Sequence, residues 1–295
     1  MGSPRPSYCI LGFPDDRGVT SAGGRAGASG GPGAFRQMLK HFSGREHVRE
    51  QLAADIDFPS GASSLAQTHR NATTFIAEQH SQHRWSIVVG GGSDFGYAQL
   101  RGIYESLGSR LSHRPVIGCL NVDAHLDCNP TVEACNAYSP FYTAIEECWI
   151  DPGQLVQFGA QRHCNPRAAW EFAEARNCVV VLFDELRTHD DVVSLFAQNL
   201  HHLAAYCDVV TVQLDLDSIA QAFAPGVSDP QSEGLAPRDI VEMMRIAGRT
   251  AAVESLGIFE LNPRFDVDNR TARLAATAAY YFIAERLAHP QAVIE

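Results

Sequence analysis

Short runs of apolar residues alternate along the chain with longer segments in which apolar residues recur at helical spacing. The apolar runs that predict β-strands cover residues 8–13, 86–90, 116–122, 154–158, 179–183, 209–214 and 256–261. Several of these runs are continuous stretches of Val, Ile and Leu, which is typical of strands that are buried on both faces. The segments that predict helices include residues 62–83, 95–107, 191–205, 237–250 and 271–287.

This alternation predicts an α/β fold. Because two parallel strands need a helical crossover, we expect a three-layer α/β/α sandwich with a central, mostly parallel sheet. No linker rich in Pro, Ser or charge divides the chain, so residues 1–295 are interpreted as a single domain. Ligands of such folds bind at the carboxyl ends of the strands, which is where candidate chemistry is expected.

Composition and charge narrow the class of protein. The chain has 295 residues, of which 45% are hydrophobic and 19% charged, and its formal net charge is −11. These values are typical of globular proteins. The excess of acidic residues argues against nucleic acid as a partner. No run of about 18 apolar residues predicts a membrane span, and the N-terminus does not resemble a secretory signal. The eight cysteines include no CxxC pair, so we expect reduced cysteines in a cytoplasmic protein.

Two predicted strands end in clusters of ionisable residues. The run VIGCLNVDAHLD ends with Asp123, His125 and Asp127, and VVTVQLDLD ends with Asp215 and Asp217. The carboxylates would repel one another without a cation. Oxygen ligands with one imidazole suit manganese or iron(II) better than zinc, and shared carboxylates allow two bridged ions that activate water. The sequence therefore predicts a metal centre at the edge of the sheet.

Three blocks resemble the signature blocks of the ureohydrolase superfamily, which comprises arginase, agmatinase and formimidoylglutamase. They read DAHLD, DLDSIAQAFAPGVSDP and FELNPRFDVDNRTARLAA. The N-terminal segment GFPDDRGVTSAGGRAGASGGPGAFR is similar to the formimidoylglutamase branch in particular. The resemblance covers nearly the whole chain. It implies a binuclear manganese centre that hydrolyses the C–N bond of a linear amidine or guanidine.

The resemblance also implies a role for each residue at the two strand ends. Asp123 and Asp215 would bridge both ions. Asp127 would bind only the first ion and would take up the proton during catalysis. His125 and Asp217 would bind only the second ion.

Four further residues are candidates for binding the substrate. Glu260, in FELNP, matches the superfamily carboxylate that grips the cationic group, because a carboxylate pairs bidentately with a planar amidine or guanidinium. Arg25, in the glycine-rich N-terminal loop, would clamp a substrate carboxylate or form a structural salt bridge. Asn129 matches the arginase position that holds the substrate's α-carboxylate, or is a turn residue before proline. Ser139 lies in a segment that resembles the formimidoylglutamase form and lacks the proton-shuttle histidine of arginases.

One metal ligand of the superfamily is replaced in this chain. The GGxH block reads GGGS, which places Ser93 where a histidine binds the first ion. A serine hydroxyl is a poor substitute for an imidazole. Asp94 either replaces the histidine or, as we favour, lies at the N-terminal end of the following helix. We therefore expect nominally two manganese ions per subunit, with the first position weak or empty.

Three other polar residues are interpreted from their local sequence. Asn165 either lines the mouth of the site or, as we favour, caps a helix that begins after it. His80 and His83 lie on a polar helical segment and are expected to be exposed to solvent.

Three functions remain open from the sequence. The first is a manganese-dependent, formimidoylglutamase-like hydrolase that converts N-formimidoyl-glutamate into glutamate and formamide. The second is a ureohydrolase that acts on another guanidino or amidino acid such as arginine, for which Asn129 is the main argument. The third is a metal-poor, non-catalytic pseudoenzyme, which Ser93 favours. The expected partners are a small amino-acid-like substrate and, by resemblance, further copies of the chain in a trimer or hexamer.

Overall fold

A computed structural model describes residues 8–59, 61, 64–108, 110–131, 134–189 and 191–289. Its eight strands are β1 (Tyr8–Gly12), β2 (Leu52–Asp57), β3 (Trp85–Val89), β4 (Ile117–Val122), β5 (Leu155–Ala160), β6 (Val179–Leu182), β7 (Val209–Asp215) and β8 (Val253–Phe259). They form one sheet in the order β2-β1-β3-β8-β7-β4-β5-β6. All pairings in this sheet are parallel. The predicted central parallel sheet is confirmed.

Helices connect the successive strands, and one further helix follows the last strand. The helices are α1 (Arg17–Ser21), α2 (Gly31–His41), α3 (Arg45–Arg49), α4 (Leu65–Gln82), α5 (Phe95–Gly108), α6 (Pro140–Glu146), α7 (Arg167–Ala175), α8 (Phe183–Thr188), α9 (Val192–Tyr206), α10 (Pro237–Arg249) and α11 (Arg270–Ala288). The helices predicted near α5, α9, α10 and α11 agree with these bounds to within one residue at each end. The helix predicted from residue 62 is α4, and residues 62 and 63 lie outside the described part of the chain.

Alternate residues of the central strands face two different helix layers. In β1, Tyr8 and Ile10 belong to the core that α2, α10 and α11 cover. Cys9 and Leu11 belong to the core that α4 and α5 cover. Both faces of the sheet are therefore buried, which explains the continuous apolar runs of the sequence and confirms the α/β/α sandwich. Within the described residues, no helix is long and apolar enough to cross a membrane.

The edge strand β2 was not predicted. Its sequence, LAADID, carries few large apolar residues, and all six of its positions are exposed or half-buried. Asp55 and Asp57 instead pair with Arg36 on α2. Because β2 has no fully buried position, it lacks the apolar run that identifies the central strands and the other edge strand, β6.

The expectation that His80 and His83 are exposed was wrong, since both are buried. His80 Nε2 lies 3.0 Å from Glu254 Oε2 on β8. A partner from a strand distant in sequence thus makes burial of this imidazole tolerable. Neither the helical spacing nor the polar neighbours of His80 indicate such a contact.

The order of the strands places the candidate chemistry together. The strands β3, β8, β7 and β4 are consecutive neighbours in the middle of the sheet. Ser93 follows β3 after a glycine turn, Glu260 follows β8 directly, Asp215 ends β7, and Asp123 follows β4. Because all these strands are parallel, the four residues emerge at the same edge of the sheet.

Candidate metal centre

Asp123, His125 and Asp217 form a buried cluster at this edge of the sheet. One potential ligand atom from each lies within 4.8 Å of the corresponding atoms of the other two. His125 Nδ1 is 3.1 Å from Asp217 Oδ2 and 3.5 Å from Asp123 Oδ1. Ligand atoms that each lie about 2 Å from one divalent ion must be a few ångströms apart, as these are. The donor set and its spacing therefore fit a divalent cation.

The same kind of turn follows both strands that carry the predicted ligands, β4 and β7. The backbone N–H of His125 donates to Asp123 Oδ1 at 2.6 Å, and the N–H of Asp217 donates to Asp215 Oδ1 at 2.9 Å. An aspartate that accepts from the residue two positions on closes an Asx-turn. Each turn bends the chain out of its strand immediately after the first carboxylate, so that the second ligand remains at the sheet edge.

Asp127 and Glu260 have left-handed backbone conformations. Their φ angles are 49° and 64°, and both residues are buried. A non-glycine residue pays about 1–3 kcal/mol for such a conformation, which persists only where neighbouring contacts impose it. Phe141 N donates to the Asp127 carbonyl at 3.1 Å, and Glu260 N donates to the Gly91 carbonyl at 3.0 Å. Two of the predicted catalytic carboxylates are thus held in strained turns, as is common at functional sites.

Four of the five predicted metal ligands line a common pocket together with Glu260. Its polar lining consists of Ser93, His125, Asp127, Tyr138, Asp215, Asp217, Ser228, Asp229 and Glu260. Asp123 lies beside it, where Asn121 Nδ2 donates to its Oδ2 at 3.1 Å. The structure thus brings together all five residues that the sequence predicts as metal ligands.

Burial and mutual repulsion perturb the acidity of these carboxylates. The pKa values of Asp127 and Asp215 lie well above the usual range, first because both are buried and then because of neighbouring carboxylates. Burial likewise raises the pKa of Asp217 to about 6 and that of Glu260 to about 8. A bound cation favours the deprotonated form of its ligands and counteracts these shifts. The cluster of carboxylates is therefore suited to binding a cation.

Ser93 lines the pocket as a neutral group. Its Oγ donates to the Ala137 carbonyl at 2.7 Å, and its backbone N–H donates to Glu260 Oε1 at 2.9 Å. Ser93 therefore orients Glu260 through the backbone, while its hydroxyl is already engaged. It adds no charge to the side of the pocket that Asp127 lines.

Asp94 pairs with a histidine that lies outside the described lining of the pocket. Its carboxylate Oδ2 lies 2.6 Å from Nε2 of His69 on α4, and both side chains are buried. The residue directly precedes α5, in agreement with the interpretation that we favoured. Asp94 does not belong to the described lining of the pocket.

Arg25 contacts a loop at the pocket mouth. Its guanidinium donates to the carbonyls of Val227 at 2.6 Å and Ser228 at 3.1 Å. It also lies over the ring of Phe265, 4.0 Å from the centroid. In this structure Arg25 therefore holds the loop that carries Ser228 and Asp229, and it does not belong to the described lining of the pocket.

Asn129 and Ser139 form backbone and local contacts outside the pocket lining. The Asn129 N–H donates to the Tyr138 carbonyl at 2.9 Å. The Ser139 hydroxyl accepts from Asn136 N at 2.9 Å. The described lining of the pocket includes neither Asn129 nor Ser139.

Asn165 bridges the loops that follow β4 and β5. Its Oδ1 accepts from Leu126 N at 2.7 Å, and its Nδ2 donates to the carbonyls of Ala124 at 2.9 Å and Gln161 at 2.8 Å. The favoured interpretation as a helix cap was wrong, because Pro166 is the residue that precedes α7. The Asn165 side chain instead forms hydrogen bonds with the backbone on both sides of His125. The contact joins segments distant in sequence, so no local signal reveals it.

Asn165→Ala is expected to weaken manganese binding by about 10–100-fold, as for other outer residues that orient metal ligands. The loop that carries His125 would lose its two hydrogen bonds with Asn165, at Leu126 N and the Ala124 carbonyl. Calorimetric titration with manganese measures the effect. Asn199→Ala is the matched control, because Asn199 Nδ2 bonds only within its own helix, to the Leu195 carbonyl. Equal affinity of Asn165→Ala and the unmodified protein would contradict this role.

Comparisons with known proteins agree with this geometry. The sequence profile of the arginase family matches residues 6–284. A formimidoylglutamase from Staphylococcus aureus is 31% identical over 288 residues, which cover 95% of this chain and 87% of that protein.

Solved structures show the same architecture. The crystal structure of formimidoylglutamase from Bacillus subtilis superposes with a TM-score of 0.87 at 23% identity, covering 99% of this chain and 90% of that one. A Trypanosoma cruzi formiminoglutamase with Mn²⁺ superposes with a TM-score of 0.85 at 25% identity, covering 96% of this chain and 94% of that one. The fold expected from the sequence is confirmed.

Proposed function

Because the chain belongs to the arginase family, we propose that it is a manganese-dependent hydrolase of N-formimidoyl-glutamate that yields glutamate and formamide. The observation that carries the proposal is the convergence of carboxylates and one imidazole from β4 and β7 with Glu260 from β8 around a buried pocket. The similarity to formimidoylglutamases over nearly the whole chain supports this substrate.

The five strand-end residues would hold the metal. Asp123 and Asp215 would bridge two ions, Asp127 would bind the first, and His125 and Asp217 would bind the second. The contacts of His125 Nδ1 with Asp123 and Asp217 support the second position. Bound manganese supplies Lewis acidity, which lowers the pKa of water and polarises the C=N group.

Unequal binding of the two ions follows from Ser93. The second position would have four ligands, one of them an imidazole. The first would have only carboxylates, because the nearby Ser93 hydroxyl is neutral and donates to the Ala137 carbonyl. We therefore propose that the second position fills first and that the first is occupied only at high manganese concentration.

Glu260 would bind the cationic end of the substrate. Its Oε1 is fixed by the Ser93 N–H, while its Oε2 is buried without a hydrogen-bond partner among the described residues. That oxygen is available to accept an N–H from a planar formimidoyl cation. Asp127, in the same pocket, would take up the proton released when water attacks.

The remaining assignments concern the opposite end of the substrate. We propose that Arg25, Asn129 and Ser139 contribute to binding its carboxylates. In this structure the side chains of Arg25 and Ser139 bond to nearby backbone groups, so contact with a substrate requires them to turn toward the pocket.

The proposal also covers the protein's organisation and compartment. All eight cysteines are free, which supports a reducing compartment, and we propose the cytoplasm. Residues 1–295 would form a single arginase-like domain. The resemblance favours a homo-oligomer, either a trimer or a hexamer, and light scattering after size-exclusion chromatography distinguishes these states.

A substrate panel tests the proposed function. The manganese-loaded protein is assayed with formimidoylglutamate, arginine, agmatine, guanidinobutyrate and guanidinopropionate. We expect turnover of formimidoylglutamate with release of formamide. Preferential turnover of arginine would instead support the second function. Loss of all turnover together with absence of manganese binding would support a non-catalytic protein.

A further inference from the structure

Asp229 contacts the histidine of the candidate metal centre from outside the predicted ligand set. Its Oδ2 lies 3.2 Å from His125 Nε2. The Asp229 side chain is 47% exposed, whereas that of His125 is 6% exposed. Asp229 therefore connects a buried imidazole to the mouth of the pocket.

The two ring nitrogens of His125 face different carboxylates. Nδ1 faces Asp217 and Asp123, and Nε2 faces Asp229. Because these nitrogens project from opposite sides of the ring, the carboxylate at Nε2 is too far from an ion at Nδ1 to bind it. The Nε2–H is not aligned for a full hydrogen bond in this structure, and Nε2 has no other partner among the described residues. Asp229 is thus its available acceptor.

Contacts outside the metal cluster position the Asp229 loop. Arg25 donates to the carbonyls of Val227 and Ser228, the two residues before Asp229. Gln231 Nε2 donates to the Asp229 carbonyl at 3.1 Å. The loop therefore presents its carboxylate to His125 through contacts that do not involve the predicted ligands.

We propose that Asp229 is a positioning residue that accepts the Nε2–H of His125 and so keeps the Nδ1 lone pair directed at the second metal position. The proposal rests on the proposed metal centre. A ligating histidine needs one nitrogen free for the ion, and a carboxylate on the other nitrogen selects that tautomer and fixes the ring. Loss of such a partner typically weakens metal binding by about 10–100-fold.

Manganese titration of the full chain tests this role. We expect Asp229→Ala to weaken the tighter site by about 10–100-fold. Asp229→Asn should weaken manganese binding less, because the amide oxygen of the new side chain still accepts an N–H. Glu233→Gln is the control: it removes a charge from the same loop, but the Glu233 carboxylate pairs with Arg187 at 3.3 Å. Pulsed EPR of bound manganese should show a weakened histidine nitrogen coupling only in the Asp229 variants.

The outcomes separate this role from the proposed function. Tight manganese binding by both the unmodified protein and Asp229→Ala would overturn the role of Asp229 and leave the metal centre intact. Equal weakening by Glu233→Gln and Asp229→Asn would also overturn it, because the effect would then be general electrostatics. Absence of manganese binding by the unmodified protein would overturn both proposals. Melting temperatures without metal should be the same in all variants if the fold is unaffected.

Discussion

Ser93→His is expected to tighten the weaker manganese position by at least about tenfold, the lower end of what an outer partner of a metal ligand contributes. Ser93 lines the pocket together with Asp127, so an imidazole there would add a neutral nitrogen donor to a carboxylate-only position. The backbone N–H that orients Glu260 is unchanged by the substitution. The hydrolysis rate at micromolar manganese should rise accordingly.

Two-site calorimetric titration measures this change directly. For the unmodified protein we expect one tight and one weak manganese site, and for Ser93→His two tight sites. Ser43→His is the control, because Ser43 is exposed and its substitution adds an imidazole away from the pocket. Two equally tight sites in the unmodified protein would show that another ligand has replaced the histidine, and the prediction of unequal binding would be wrong.

Glu260→Gln is expected to lower kcat/KM by at least about 100-fold, the scale seen when a preorganised electrostatic contact is removed. The neutral amide loses the charge that pairs with a planar cation, and the amide NH₂ is a donor where the substrate needs an acceptor. Manganese affinity should change little, because Glu260 binds the substrate and is not among the proposed ligands. Steady-state kinetics and manganese titration on the same preparation separate the two effects.

Glu254→Gln is the matched control for this variant. Glu254 lies on β8, the strand that Glu260 directly follows. The Glu254 carboxylate pairs with His80 and not with the pocket. We expect this variant to retain its turnover. Undiminished turnover by Glu260→Gln would remove Glu260 from the mechanism.

The buried part of the fold was predictable because its residues repeat a strong local pattern. Central strands such as β4 and β7 are continuous apolar runs, and the helices between them have helical spacing. The edge strand β2 escaped prediction because none of its positions is buried, and its sequence therefore has no apolar run. The burial of His80 escaped it because the partner that stabilises it, Glu254, is distant in sequence.

The residues of the candidate site also include some that the sequence predicts and some that only the structure identifies. Asp123 and Asp217 were predictable because carboxylates at the ends of buried strands need a cation to coexist. Asn165 and Asp229 act through contacts between loops, and their local sequences resemble ordinary turns. Residues that support a ligand from another loop therefore require the three-dimensional structure to be identified.

The most direct test of the account is the manganese dependence of formamide release from N-formimidoyl-glutamate. The protein is stripped of metal with a chelator, and turnover is then followed as manganese is added back. We expect no release from the stripped protein, low turnover at trace manganese and rising turnover up to millimolar concentration as the weaker position fills. Release that is independent of manganese, or no release at millimolar manganese, would contradict the account.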